Sequence, residues 1–200
     1  TIDPALLEAT IREMLAAIPA AHSAAPAAPQ GDGIFADMDD AVAAAVAAAA
    51  AYRSCTMADR RRFVAAIREA MLAPENLDYM ASQAVLESGM GDVAHKYLKN
   101  KVAATTTPGV EDLETSAWSG DEGLTTVEYS AYGVIGAVTP TTNPTETVTN
   151  NAIGMLAAGN AVVFSPHPRA KNLSIWQVRT LNRALREVGR AVRAALCAPE

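Results

Sequence analysis

Two apolar runs alternate with two helical patterns between residues 132 and 188, and this order constrains the fold more than any other feature. Residues 132–139 read YGVIGAVT and residues 161–164 read AVVF, so both runs are apolar on both faces. Apolar side chains recur at helical spacing over residues 146–158 and again over residues 173–188. Strands that are apolar on both faces and alternate with helices are typical of a parallel sheet covered by helices. The sequence therefore predicts an α/β fold built on a βαβ unit.

Helical patterns and a hairpin precede this unit. Ile34 and Phe35 predict a short strand, and either Asp37 or Asp39 is expected to cap the helix that follows. Residues 118–129 combine turn residues with alternating apolar positions, which predicts a β-hairpin. Apolar residues recur at helical spacing over four segments, which are residues 40–52, 57–72, 74–86 and 92–104.

The first 18 residues form a separate unit. An apolar stripe recurs from Ile2 to Ile18 at steps of three and four, and Asp3 suits the N-cap of a helix. A linker rich in Pro, Ala and Gly follows over residues 19–33. The stripe has nothing in its own segment to pack against, so the helix must dock on the rest of the chain, on a partner or on a membrane. The pattern alone leaves a helix that folds back on the core and a helix that binds elsewhere equally open.

Charge and cysteine usage exclude several classes of function. The net charge of −6 argues against a nucleic-acid-binding surface. Cys55 and Cys197 lie far apart, so they form neither a disulfide framework nor a zinc-binding spacing, and we expect no metal. No apolar run reaches the roughly 18 residues that a membrane span needs. This cysteine usage favours a reducing cytosol.

Two polar loops follow the predicted strands. They cover residues 139–145 (TPTTNPT) and 165–169 (SPHPR), and both lie at the carboxyl edge of the sheet, where open α/β folds bind ligands. The first loop leads into a helix N-terminus and carries several hydroxyls, which favours a phosphate or a developing oxyanion. It has no Gly-x-Gly-x-x-Gly pattern and no P-loop lysine, so any nucleotide must be held in another way. A proline-braced loop with capping threonines is the alternative.

The segment from Tyr132 to Lys171, YGVIGAVTPTTNPTETVTNNAIGMLAAGNAVVFSPHPRAK, resembles the CoA-acylating branch of the aldehyde dehydrogenase superfamily. The stretches PTTNPTE and FSPHPRAK carry the resemblance in the expected order on consecutive strands. LESGMG (residues 86–91) and TPGVEDL (residues 107–113) are similar too. Within the branch, the chain most resembles the propionaldehyde and acetaldehyde dehydrogenases of bacterial microcompartments.

The resemblance implies a reaction in which aldehyde, CoA and NAD give acyl-CoA and NADH through a cysteine thiolate. Ordinary family members use an Asn of the matching loop to stabilise the oxyanion. Counting without gaps aligns that Asn with Thr142, whereas Asn143, one residue later, carries the amide; we favour Asn143. The resemblance also implies the cofactor-binding residues, which are Val138, Thr139, Pro140, Thr141 and Thr142 on the nicotinamide side and Ser165, Pro166 and His167 along the adenosine ribose.

Several points of this assignment stay open. Ser165 stands where ordinary members have a Lys, so ribose recognition is expected to differ. His167 suits an ordinary loop histidine as well as a direct ligand. NADP remains an alternative to NAD, and the sequence does not identify the aldehyde.

The catalytic cysteine of the family lies well downstream in a second domain, and this chain has no counterpart. Cys55 falls in the helical region, the wrong position for a nucleophile. Residues 189–200 depart from the family pattern and predict an off-pattern tail, from truncation or a frameshift, that could continue as helix. Cys197 in this tail is the competing nucleophile, but no His lies nearby to lower its pKa. We therefore expect the chain alone to be inactive.

The predicted architecture is N-terminal helices plus the start of a Rossmann-like parallel sheet of the aldehyde dehydrogenase fold, truncated. Its parts are an amphipathic helix of encapsulation type (1–18), a linker (19–33), the helical part of a cofactor domain (34–110), a hairpin resembling oligomerisation strands (111–131), a βαβ part that binds NAD (132–188) and the tail (189–200).

Two hypotheses remain for the chain as a whole. In the first it is the N-terminal part of an acylating enzyme that acts inside a cytoplasmic microcompartment. Residues 1–18 would bind the shell protein there, and the complete enzyme would be a homo-oligomer. In the second the chain is a non-catalytic module that binds the shell or associates with intact subunits through its hairpin. Neither hypothesis involves nucleic acid or a membrane.

Overall fold

A computed structural model describes residues 31–189 and 196–199. The amphipathic segment 1–18 and most of the linker lie outside the described residues. The helices are α1 (Met38–Tyr52), α2 (Met57–Leu72), α3 (Pro74–Ser88), α4 (Val93–Thr106), α5 (Pro144–Ala157) and α6 (Lys171–Val188), with short 3₁₀ turns at Val110–Asp112 and Pro168–Ala170. The strands are β1 (Ile34–Phe35), β2 (Ser116–Gly120), β3 (Gly123–Val127), β4 (Val134–Thr139), β5 (Ala161–Pro166) and β6 (Leu196–Pro199).

Four strands form one parallel sheet in the order β1-β6-β5-β4. The connection from β4 through α5 to β5 is the βαβ unit that the sequence predicts. Helix α1 packs on one face of the sheet through its alanines, against Phe35 and Val163. Helices α2, α5 and α6 cover the other face, where Phe164 and Ile153 are fully buried. The described strands and helices thus stack in layers around two apolar clusters.

Local signals in the sequence explain where the helices begin. Asp37 caps α1 by accepting the Asp39 N–H at 2.8 Å. Thr56 and Asp59 form a reciprocal capping box at the start of α2. Pro144 occupies the first turn of α5, where a missing N–H costs nothing, so this helix begins two residues before the predicted Glu146.

The amino end of β4 is fastened by a buried side chain. The Oδ1 of Asn160 accepts the backbone N–H groups of Tyr132 and Gly133 at 2.7 and 3.0 Å. Its Nδ2 donates to the carbonyl of Met155 at 3.2 Å. Asn160, 3% exposed, therefore joins the end of α5 to the start of β4.

The predicted continuation of the tail as helix is wrong for residues 196–199. Helix α6 ends at Val188, and Gly189 is extended with a φ of −169°. Residues 196–199 then form β6, in which Cys197 pairs with Val163. The apolar run fills the gap between β1 and β5, and its pairing satisfies backbone groups that a helix would leave unpaired at both strand edges.

The hairpin β2–β3 stands apart from the sheet. Trp118 pairs with Thr125 and Ser119 with Leu124, and every residue of both strands is exposed. Trp118 and Leu124 retain 60% and 69% exposure on opposite faces of the ribbon. A two-stranded ribbon of this kind is marginally stable by itself. No helix among the described residues has the length and apolar character needed to cross a bilayer.

Candidate active site

The βαβ unit brings the two polar loops together at the carboxyl edge of the sheet. Val138 on β4 pairs with Ser165 on β5, and Thr139 pairs with Pro166. The backbone N–H of His167 then donates to the carbonyl of Thr139 at 3.2 Å, so the loops stay joined beyond the last strand pair. The residues predicted from both loops therefore line one continuous edge.

Side chains at this edge alternate between a covered and an open face. Thr139 is 2% exposed and points toward the helices, whereas Val138 is 83% exposed on the face it shares with Ser165. The Oγ1 atoms of Thr139 and Thr141 are buried and have no hydrogen-bond partner among the described residues. Unpaired hydroxyls beside a helix N-terminus fit a polar ligand that carries phosphate groups.

Asn143 lies at the start of α5 but does not cap it through its side chain. Its Oδ1 instead accepts a hydrogen bond from the Nζ of Lys99 on α4. The neighbouring Thr142 carbonyl accepts from the Nζ of Lys96, one helical turn earlier on α4. Both contacts tie the loop to α4.

A buried carboxylate lies behind these two lysines. Oε1 of Glu146 is 3.7 Å from Nζ of Lys96 and 3.8 Å from Nζ of Lys99. The side chains of Lys96 and Glu146 are only 4% and 10% exposed, while that of Lys99 is 50% exposed. Two ammonium groups thus face one carboxylate, which leaves the cluster with a surplus positive charge next to Asn143.

Two clefts meet at this cluster. One has a volume of about 600 Å³ and lies between α4 and α5, with Leu98, Val102, Asn143 and Asn150 among its lining residues. The other has a volume of about 260 Å³ and lies between the Met90–Asp92 turn and the same loop. Lys99 and Asn143 contribute to both clefts. Polar and apolar residues both line the larger cleft, but the surface they expose in it is mostly apolar, which suits a small organic substrate.

The structure shows what the predicted residue His167 contacts, and it adds three residues to the candidate site. His167 accepts the Arg169 N–H through Nδ1 at 3.1 Å, so it caps the short turn that follows β5. Sequence reasoning missed Lys96, Lys99 and Glu146. The available signal was the i, i+3 spacing of the two lysines, which puts them on one helix face.

The described surroundings of Cys55 do not activate its thiol. Burial raises the pKa of the Cys55 thiol, and the nearby Asp59 carboxylate raises it further. Cys55 packs partly against the apolar core and is remote from the loop in the fold, since its neighbours are Tyr52 and Asp59. Cys197 lies within the paired strand β6. A thiolate nucleophile needs a lowered pKa, so Cys55 does not meet the requirement.

The sequence profile of the aldehyde dehydrogenase family matches residues 12–189. The chain belongs to the aldehyde dehydrogenase family. Among its relatives, the propanal dehydrogenase (CoA-propanoylating) of Salmonella typhimurium is 46% identical in an alignment 172 residues long that covers 84% of this chain and 36% of that protein. The acetaldehyde dehydrogenase (acetylating) of Escherichia coli is 47% identical over 157 residues, or 78% of this chain and 33% of that protein.

Solved structures of similar proteins share the fold. A propionaldehyde dehydrogenase of Rhodopseudomonas palustris, solved with bound CoA and an acylated cysteine, has a TM-score of 0.83 at 54% identity over 85% of this chain and 38% of that chain. An engineered glycolyl-CoA reductase with bound NADP⁺ has a TM-score of 0.83 at 53% identity over 86% of this chain and 39% of that chain. This chain therefore spans less than two fifths of the length of these relatives.

Proposed function

We propose that this chain is the N-terminal part of a CoA-acylating aldehyde dehydrogenase, which converts an aldehyde, CoA and NAD⁺ to an acyl-CoA, NADH and a proton. The proposal is supported most directly by the joined loops at the carboxyl edge of β4 and β5, where Asn143 lines the larger cleft. The relatives named as CoA-propanoylating and acetylating enzymes share this part of the chain.

The residues of the two loops would contact different parts of the cofactor. Val138, Thr139, Pro140, Thr141 and Thr142 would contact the nicotinamide side of the cofactor, and Ser165, Pro166 and His167 its ribose side. When bound, the nicotinamide accepts the hydride that the aldehyde carbon releases. Val138, which is 83% exposed, offers the cofactor an apolar surface.

Asn143 would stabilise the charge that develops on the aldehyde oxygen. A thiolate attack converts the planar carbonyl to a tetrahedral oxyanion, which a fixed amide N–H stabilises more than it stabilises the neutral substrate. The surplus positive charge of the lysines behind Asn143 acts in the same direction. We propose that the nucleophile is neither Cys55 nor Cys197 and belongs to residues beyond this sequence.

Binding of the cofactor can be measured on the 200-residue chain itself. We expect NADH or NADPH to bind in a calorimetric titration, and the Val138→Asp variant to abolish binding because it puts a carboxylate against the cofactor. Val46→Asp is the matched control, since Val46 is also exposed but lies on α1 away from the edge. Unchanged affinity in the Val138→Asp variant would contradict the assignment of this edge.

A role for residues 1–18 in delivery to a microcompartment shell is a separate proposal. It rests on the apolar stripe and the linker, and on the resemblance to microcompartment enzymes. A fluorescent protein fused to residues 1–18 should form puncta in cells that produce shells, and a Leu6→Glu, Leu7→Glu variant of the fusion should be diffuse. Diffuse fluorescence of the unmodified fusion would contradict the proposal.

Association of subunits through the hairpin is also proposed. Trp118 and Leu124 project from opposite faces of an exposed ribbon, so a partner that covers both faces would bury them. Sedimentation of the complete protein should show an oligomer that a Trp118→Asp, Leu124→Asp variant dissociates.

A further inference from the structure

We propose that Lys99 is a positioning residue that determines which atom of the Asn143 amide faces the reacting carbonyl. The proposal rests on the proposed function, in which Asn143 donates to the oxyanion. It concerns a residue that the family resemblance does not assign, and it follows from the chemistry of two side chains in contact.

An ammonium group can donate hydrogen bonds but cannot accept them, whereas an Asn side chain carries an acceptor oxygen and a donor NH₂. The Nζ of Lys99 therefore selects the Oδ1 of Asn143 as its partner. With Oδ1 held by Lys99, the Nδ2 of Asn143 is directed to the opposite side of the amide and remains free to donate.

The rest of the loop does not determine this orientation. Asn143 is at the N-cap position of α5, where its side chain would commonly accept a helix N–H, but no such hydrogen bond forms. Lys99 is its only side-chain partner among the residues that the structure describes. Without Lys99, a rotation of about 180° about the Cβ–Cγ bond would exchange the amide oxygen and nitrogen, because that torsion is roughly two-fold. In half of these orientations an oxygen would face the oxyanion and repel it.

Glu146 and Lys96 explain why Lys99 stays in position. The Glu146 carboxylate attracts both ammonium groups, and Lys96 in turn holds the Thr142 carbonyl next to Asn143. The Lys96 and Glu146 side chains are almost fully buried, so their positions are fixed by packing. The half-exposed Lys99 side chain is held next to the loop by its attraction to Glu146. A hydrogen bond from a cation also polarises the amide and strengthens the N–H groups as donors.

The test compares steady-state kinetics of the protein encoded by the complete reading frame in five forms: the unmodified protein, Lys99→Met, Lys99→Arg, Asn143→Ala and the Lys99→Met, Asn143→Ala double variant. Met keeps the length of the side chain and removes the charge. Lys101→Met is the matched control, because Lys101 is an exposed lysine of the same helix and forms no hydrogen bond or ion pair with the loop among the residues that the structure describes. Thermal unfolding of each variant verifies that it folds.

We expect Asn143→Ala to lower kcat for propanal by about 10²- to 10³-fold, as the loss of one oxyanion donor does. Lys99→Met should lower kcat by about tenfold, with the KM for NAD⁺ unchanged, because the amide loses both its fixed orientation, which accounts for about twofold, and its polarisation by the cation. Lys99→Arg should restore most of the activity. The double variant should be no slower than Asn143→Ala alone, within about twofold, because Lys99 acts only through Asn143.

Each other outcome overturns the proposal in a distinguishable way. If Lys99→Met slows the Asn143→Ala variant as much as it slows the unmodified protein, Lys99 acts directly on a ligand. If Lys99→Met has full activity, Lys99 has no role in the reaction, while the proposed function stands. If Asn143→Ala has full activity, Asn143 is not the oxyanion donor, and both the assignment and the role of Lys99 fail.

Discussion

Lys96 of α4 and Glu146 of α5 form a buried ion pair, with Nζ and Oε1 3.7 Å apart. Charges removed from water are costly unless they are paired and hydrogen-bonded. Here Lys96 also donates to the Thr142 carbonyl, whereas the Oε1 of Glu146 relies on the two lysines. The pair therefore contributes both to the stability of the domain and to the geometry of the loop that carries Asn143.

The Lys96→Met variant should destabilise the chain by about 2 kcal/mol, less than the 3–5 kcal/mol typical of a broken buried pair, because Lys99 still neutralises Glu146. The Lys96→Met, Glu146→Met double variant should recover most of that loss, since no buried charge remains. Urea unfolding followed by circular dichroism gives both values. A double variant less stable than the single one would show that the pair stabilises the fold beyond mutual neutralisation.

Asn160→Ala should destabilise the chain by about 2–3 kcal/mol, because it leaves the N–H groups of Tyr132 and Gly133 without an acceptor at the start of β4. Asn172→Ala, at an exposed position, is the control and should change stability by less than about 0.5 kcal/mol. Equal unfolding midpoints for the two variants would contradict the role given to Asn160.

The capping box of α2 predicts a particular pH dependence. Hydrogen bonds from the Thr56 side chain and backbone, with a further bond from Arg62, lower the pKa of Asp59 to about 2. A carboxyl whose pKa is lowered in the folded state contributes stability above its ordinary value, and this contribution is lost as the pH falls toward 2. An NMR titration should give that low pKa, and Thr56→Ala should raise it. An ordinary Asp59 pKa in the unmodified chain would show that the box does not form.

Cys55 should react slowly with iodoacetamide at pH 7, because burial and the Asp59 carboxylate raise the pKa of its thiol. The rate should increase about tenfold for each pH unit until the thiol ionises. Asp59→Asn removes the second cause and should accelerate labelling at a given pH. Mass spectrometry of the digested protein separates the Cys55 peptide from that of Cys197, and rapid labelling of Cys55 at pH 7 would disprove the assignment.

Local pattern predicted most of the fold for identifiable reasons. The runs 132–139 and 161–164 predicted two buried strands of a parallel sheet, and the structure has β4 and β5 there. The prediction of burial holds for β5 but is wrong for β4, which lies at the edge of the sheet with Val138 83% exposed. Asp37, one of the two predicted caps, marks the start of α1 by accepting a helix N–H with its side chain. These signals are contained in a few consecutive residues.

The features that sequence reasoning missed depend on distant contacts. β6 forms because β1 and β5 leave a place between them, and a run of four residues carries little signal of its own. Lys96 and Lys99 resemble ordinary solvated lysines in the sequence, since their partner Glu146 is about 50 residues away and meets them only when α4 packs on α5. Asn143 and Thr142, the two candidates for the oxyanion donor, lie in the same loop. Their hydrogen bonds to Lys99 and Lys96 also form only when α4 packs on α5.

Product analysis of the protein encoded by the complete reading frame tests the acylating function most directly. Propanal, CoA and NAD⁺ should yield NADH and propanoyl-CoA in equal amounts. Without CoA, the amount of NADH formed should not exceed the amount of enzyme. The 200-residue chain should form neither product. Sustained NADH formation with free propanoate as the product, or turnover by the 200-residue chain that Cys197→Ala abolishes, would contradict this account.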